Sequence, residues 1–249
     1  NSAYRGGLEH SFSIISAVSG PTEDLRVRQA LNFAIDKEAL AKSLFLGFAS
    51  PANGQMIGNR SFGYNPTLDP WPYDPKKAKD LLKAAGASNA TIEFVAPNGR
   101  WAKAKEMAEA IAGYWQAVGL NVDLQVLEFG QYLKRLRDPV NRPDVIYASH
   151  NNALMEAERT VANFYRSRAK GAASSSVADP MLDEWIAQAA AEPDAAKREE
   201  LYHKVMKRGY DEAYFLFLLN TQDVFGLSER MSFEPRLDNK VYLKNFVIN

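Results

Sequence analysis

The 249-residue chain has no cysteine, three histidines and no excess of either charge. Without thiols there is no disulfide framework, no thiolate metal site and no cysteine nucleophile, and both reducing and oxidising compartments stay open. Thirty Lys and Arg balance thirty Asp and Glu, which removes the basic footprint of a nucleic-acid binder. His10, His150 and His203 are spaced so that no two share a helix face, so neither a histidine metal site nor another cofactor is expected. The longest dense apolar run, Ala213 to Leu219, is far shorter than the ~20 residues that cross a bilayer. The opening Asn1-Ser2-Ala3-Tyr4 lacks an initiator Met and both regions of a signal peptide, so a processed or truncated product is expected. Signatures of serine hydrolases, zinc proteases, phosphate loops and dinucleotide sites are all missing.

What is present is the composition of an ordinary globular protein, 46% hydrophobic and 24% charged, with enough chain to bury roughly 70% of its unfolded surface. A strand is predicted over Leu8 to Val18, stopped by Gly20-Pro21. Asp24 to Ile35 carries Val27, Ala30, Leu31 and Ala34 at helical spacing, and Asp36 opens a second helix that Gly47 ends. Gly47 to Tyr73 is a long Gly/Pro-rich stretch, a length of loop that is usually functional or held by its own packing. Asp74-Pro75 starts a helix over Lys76 to Ala85 that stops at Gly86.

The middle of the chain alternates: strand Thr91 to Ala96, helix Trp101 to Val118, strand Asn121 to Leu127, helix Gly130 to Arg137, strand Asp144 to Ala148. This predicts an α/β fold, a mixed and largely parallel sheet with flanking helices. Helices are then predicted over Met155 to Arg166, Pro180 to Ala191 and Asp194 to Gly209, and strands over Tyr214 to Leu219, Asp223 to Leu227 and Lys240 to Val247.

In open α/β sheets ligands collect beyond the carboxyl ends of strands. Two polar clusters are predicted there: His150-Asn151-Asn152 after the third middle strand, and Asn98-Gly99-Arg100 before a helix N-terminus. The plainer reading of each is a solvated turn. Trp101 stands beside the second cluster. Glu156 with Asp183, or Glu199 with Glu200, read as solvated helix faces rather than acid and base.

Several stretches, in order, resemble the family 5 extracellular solute-binding proteins, the dipeptide, oligopeptide and nickel type receptors of ABC importers. They are Asp24-Leu25-Arg26-Val27-Arg28-Gln29-Ala30-Leu31-Asn32-Phe33-Ala34-Ile35-Asp36, then Pro51-Ala52-Asn53-Gly54, Gly63-Tyr64-Asn65-Pro66, Tyr73 to Gly86, Asp194 to Tyr202 and Val241 to Asn245. The resemblance implies a periplasmic binding protein type II-like lobe, the C-terminal half of a two-lobed receptor. Residues 1–20 would enter from the missing N-terminal lobe, 21–214 form the second lobe, and 215–249 return to the first.

The resemblance further implies a non-enzymatic, monomeric protein, periplasmic or else extracellular and membrane-tethered. Its partners would be a small or peptide solute and the permease subunits, with no nucleic acid. Asn98, Arg100, His150, Asn151 and Asn152 would face the ligand. Peptide-binding members carry a Gly-Trp and then an Asp after the strand at Asp144 to Ala148; Ser149 to Glu158 has neither Trp nor Asp, which points away from a standard peptide receptor. Two readings from other classes remain: an α/β hydrolase or transferase using Glu156, His150 and Arg100, and an interaction module docking through Gly47 to Tyr73.

Overall fold

The structure is a computed structural model that describes residues 2–236, 238 and 240–248. The elements run β1 (Ser2–Ile15), α1 (Leu25–Phe33), α2 (Lys37–Phe45), β2 (Ala49–Pro51), α3 (Pro75–Ala84), β3 (Thr91–Pro97), α4 (Ala104–Ala117) and β4 (Asn121–Leu127). They continue through α5 (Phe129–Arg137), β5 (Val145–Asn151), α6 (Ala157–Thr160), α7 (Pro180–Ala191), α8 (Ala195–Asp211), β6 (Phe215–Gly226), β7 (Met231–Phe233) and β8 (Phe246–Ile248). The main sheet has the order β2-β6-β1-β5-β3-β4. β3 lies parallel to β4 and β5, and these are the strands of the alternating middle section. The antiparallel part comes from distant segments: β1 pairs with β5 and β6, and β2 with β6.

Aspartates start the helices that the sequence marks. Asp24, Asp36, Asp74, Asp179 and Asp194 each accept a backbone N–H of the first turn, at 2.8 to 3.0 Å. A cap of this kind contributes ~1 kcal/mol. The buried faces of α1, α4 and α5 meet the sheet, where Trp115 donates to the Leu31 carbonyl at 3.1 Å and Tyr132 to the Tyr147 carbonyl at 2.9 Å.

The first strand runs from Ser2 to Ile15 rather than from Leu8 to Val18, since its outer half pairs with β6, and other expectations change too. β5 runs on to Asn151 instead of ending at Ala148, because β1 pairs with it as far as Glu9 opposite Asn151. The strands expected at Tyr214 to Leu219 and Asp223 to Leu227 are one strand, β6, since β1 also pairs with its polar middle, His10 with Asn220 and Gly6 with Gln222. The helix expected from Met155 begins only at Ala157. Met155 has φ +53°, and Phe62 exchanges backbone hydrogen bonds with Met155 and Ala157 that hold Glu156 extended. That helix then widens into a π turn, Val161–Tyr165. The last expected strand shrinks to β8 after a 3₁₀ turn at Leu243–Asn245.

The long loop is held by its own packing. Gln55 and Asn65 bond reciprocally, at 2.8 and 2.9 Å, and Asn65 donates to the His203 carbonyl on α8. Trp71 packs between Phe33 and Tyr210, 4.8 and 4.9 Å away. Gly63 has φ +86° and lies against Ala157 and Tyr202, where a Cβ would come within 2.9 Å of the Tyr202 ring.

Candidate binding cleft

On one face of the sheet, at the carboxyl ends of β3 and β5, opens a cleft of about 590 Å³. Strand alternation builds its floor: Glu9 and Ser11 from β1, Tyr147 and Ser149 from β5, Thr221 and Asp223 from β6. One wall is apolar, Leu44 and Phe45 from the last turn of α2 with Leu46 and Phe48 just beyond it, and the other is Arg100 to Lys103 between β3 and α4. That second wall exists because α4 starts late. Lys103 sits at φ +58°, a left-handed conformation that cannot continue a helix backwards and costs a non-glycine residue about 1–2 kcal/mol. The three residues expected to form the first helical turn therefore face the cleft.

The floor is organised by hydrogen bonds. Ser149 Oγ donates to Glu9 Oε1 at 2.7 Å, which orients that carboxylate. Ser11 Oγ donates to the Leu219 carbonyl and accepts its N–H, both at 3.2 Å, stitching β1 to β6. Arg100 is exposed, lies 5.5 Å over the rings of both Trp101 and Phe129, and has no ion pair among the described residues. Lys103 is instead held by Glu106 at 3.0 Å. The cleft thus offers an oriented carboxylate, a guanidinium steadied on aromatic faces, and apolar walls.

The structure divides the five residues expected from sequence. Arg100 lines the cleft, while Asn98 is exposed in the preceding turn with its N–H bonded to the Leu127 carbonyl at 2.8 Å. His150 and Asn151 lie within β5 rather than beyond it. His150 turns to the opposite face, where Nε2 meets Thr160 Oγ1 at 3.0 Å and the ring packs 5.2 Å from Phe164. Burial, then the neighbouring His10 and Arg159, lower its pKa to about 4, so it is neutral. Asn151 pairs with Glu9 along the strand. Asn152 is buried and donates to Ser61 Oγ at 3.2 Å, tying the long loop to the end of β5.

Glu9, Ser11, Tyr147 and Ser149 were not among the expected residues. A signal for the first two lay in the chain: Glu9, Ser11 and Ser13 alternate in a strand whose other positions include Leu8, Phe12 and Ile14. Glu156, one of the three residues of the hydrolase or transferase reading, caps α6, accepting the Glu158 N–H at 3.3 Å. Among the described residues no group of three or more His, Asp or Glu is placed to hold a metal.

An α/β lobe with an open, two-signed cleft at its strand ends is the architecture of a ligand-binding lobe. Residues 4–172 match the bacterial extracellular solute-binding proteins, family 5 Middle, and the chain belongs to that family. It is 27% identical over 229 residues to the glutathione-binding protein GsiB of Pectobacterium atrosepticum, covering 90% of this chain and 44% of that protein. It is 29% identical over 226 residues to the dipeptide-binding protein of Escherichia coli, covering 86% and 41%. The solved structure of HbpA2 from Haemophilus parasuis shares the fold, with a TM-score of 0.85 at 21% identity over all of this chain and 50% of that one. The chain thus spans less than half the length of these curated relatives.

Proposed function

We propose that this chain supplies one wall of the solute-binding cleft of an ABC-importer receptor, a non-enzymatic, periplasmic or membrane-tethered protein that hands its solute to a permease. The observation that carries the reading is the pairing of an oriented Glu9 with an ion-pair-free Arg100 in one cleft. Such a site fits a small solute bearing both charges: Glu9 and Ser149 take a cationic end, Arg100 an anionic end, and Trp101 with Leu44 and Phe45 the apolar body. Relatives named for glutathione and for dipeptides support this reading, since each of those solutes carries an ammonium and at least one carboxylate. The outer ends of β1 and β6, residues 2–6 and 222–226, which pair with each other beyond the end of β5, would lead to the other lobe, and closing on the solute would be a hinge motion driven by differential affinity for the closed form.

Calorimetry on the full-length protein, with a solute identified by native mass spectrometry, tests the assignment. Arg100→Ala and Glu9→Gln should each weaken binding by about tenfold or more, the equivalent of ~1.4 kcal/mol. Asn98→Ala should have a smaller effect, and His150, Asn151 and Asn152 should act by shaping the strand end. Unchanged affinity in both charge variants overturns the assignment. The 249-residue chain alone should bind much more weakly, since half a cleft leaves a solute's other face in water.

A further inference from the structure

His10 alternates with Glu9 and Ser11 along β1 and so points to the face opposite the cleft. The residue is 2% exposed. Its Nδ1 stands 2.6 Å from Asn220 Oδ1. An amide oxygen can only accept, so Nδ1 carries the proton and Nε2 is a bare acceptor. That Nε2 is buried and meets no hydrogen-bond partner among the described residues. Nearly all buried polar atoms are satisfied, so such an atom calls for a specific explanation.

His10 borders a separate pocket of about 280 Å³ whose polar lining includes Ser50, Asn53, Asn59, Tyr64 and Asn220. No Asp, Glu, Lys or Arg lines it, and an ion there would lose its hydration without a counter-charge. Tyr64 Oη accepts from Asn53 Nδ2 at 3.0 Å, which leaves its own proton to donate. Gly58 lies against the imidazole: a Cβ there would sit 3.5 Å from Cε1 and 3.7 Å from Nε2. Glycine at this position keeps a side chain off that acceptor edge, and its φ is outside the left-handed region.

We propose that this pocket is a second binding site, separate from the cleft, for a neutral carboxamide whose N–H donates to His10 Nε2 and whose carbonyl accepts from the Tyr64 hydroxyl. A carboxamide carries the donor and the acceptor on one planar group, and a carboxylate of the same shape lacks the N–H that Nε2 requires. The site does not depend on the solute reading, because β1 separates it from Glu9 and Arg100.

The 249-residue chain, labelled with ¹⁵N-histidine and titrated with acetamide, acetate and N,N-dimethylacetamide in separate NMR series, provides the test. Acetamide should shift the His10 Nε2 resonance saturably, on the order of millimolar to tens of millimolar as suits four heavy atoms. Acetate and N,N-dimethylacetamide, which lack an N–H, should not. Gly58→Ala should weaken the acetamide response at least about tenfold with the fold unchanged, a Cβ now crowding the acceptor. A protonated Nε2, equal responses to all three probes, or an acetamide response unchanged in Gly58→Ala would each overturn the proposal, the pocket then holding water alone.

Discussion

The residues that make the family legible in the sequence are mostly structural. Arg28, in the Asp24 to Asp36 block, is 4% exposed and donates to the carbonyls of Thr22, Glu23 and Glu212. Asn32 donates to Phe215 O at 3.1 Å, and Lys37 caps Asn32 O and Trp71 O. Burial lowers the Lys37 pKa to about 8. Asp179 is the acid of a second buried knot, accepting from Arg208 Nε at 2.8 Å and Tyr214 Oη at 2.9 Å. Burial alone would raise its pKa; Arg208, Tyr214 and the Met181 N–H outweigh that and hold it below the usual carboxylate value. Asp179→Ala would leave Arg208 with Glu212 as its remaining partner, at 2.9 Å, take the acceptor from the Tyr214 hydroxyl and remove the α7 cap, so urea unfolding should show a loss of ~2 kcal/mol. Gly63→Ala should cost about 2 kcal/mol or more in the same measurement, from a strained φ and the Tyr202 clash.

At the scale of elements, β1 decides most. It occupies the centre of the sheet between β5 and β6, so its odd positions floor the cleft and its even positions place His10 opposite His150. Burial lowers the His10 pKa to about 4, with the Asn220 bond opposing, and His150 is lowered to about 4 as well. Both folded values lie below the unfolded 6.5. Between pH 6.5 and 4 the unfolded chain therefore binds protons that the folded chain does not. The stability of this pair is complete above pH 6.5 and falls as acid is added, by on the order of 3 kcal/mol per histidine. Thermal melts from pH 7 to pH 4 should show that decline. His150→Gln should flatten it by removing one of the two sites, and a flat profile in the parent chain would contradict the buried, neutral pair. The helix starts were readable because an Asp cap is a local device. The end of β5 was not, because its last residues are paired by β1, more than 130 positions away in sequence.

For the molecule as a whole, the proposed function makes this chain one face of a cleft that closes on its solute, and the charges in that cleft would set which solutes fit. If the solute carries both charges, raising ionic strength should weaken binding to the full-length protein, since Arg100 is exposed and within reach of salt; calorimetry from low salt to 1 M checks this. The sequence by itself determined the α/β class, the capped helices, the parallel β3-β4-β5 section and membership of the family. These rest on local periodicity, caps and turn residues within a few positions of one another. Tertiary structure alone decided that Glu9 and Ser149 meet at 2.7 Å, that His150 turns away from Arg100, and that Lys103 breaks the helix to open the wall. The cleft is made by strand neighbours far apart in the chain and by the two-residue period of a pairing register, and register is fixed by the packing of the whole sheet.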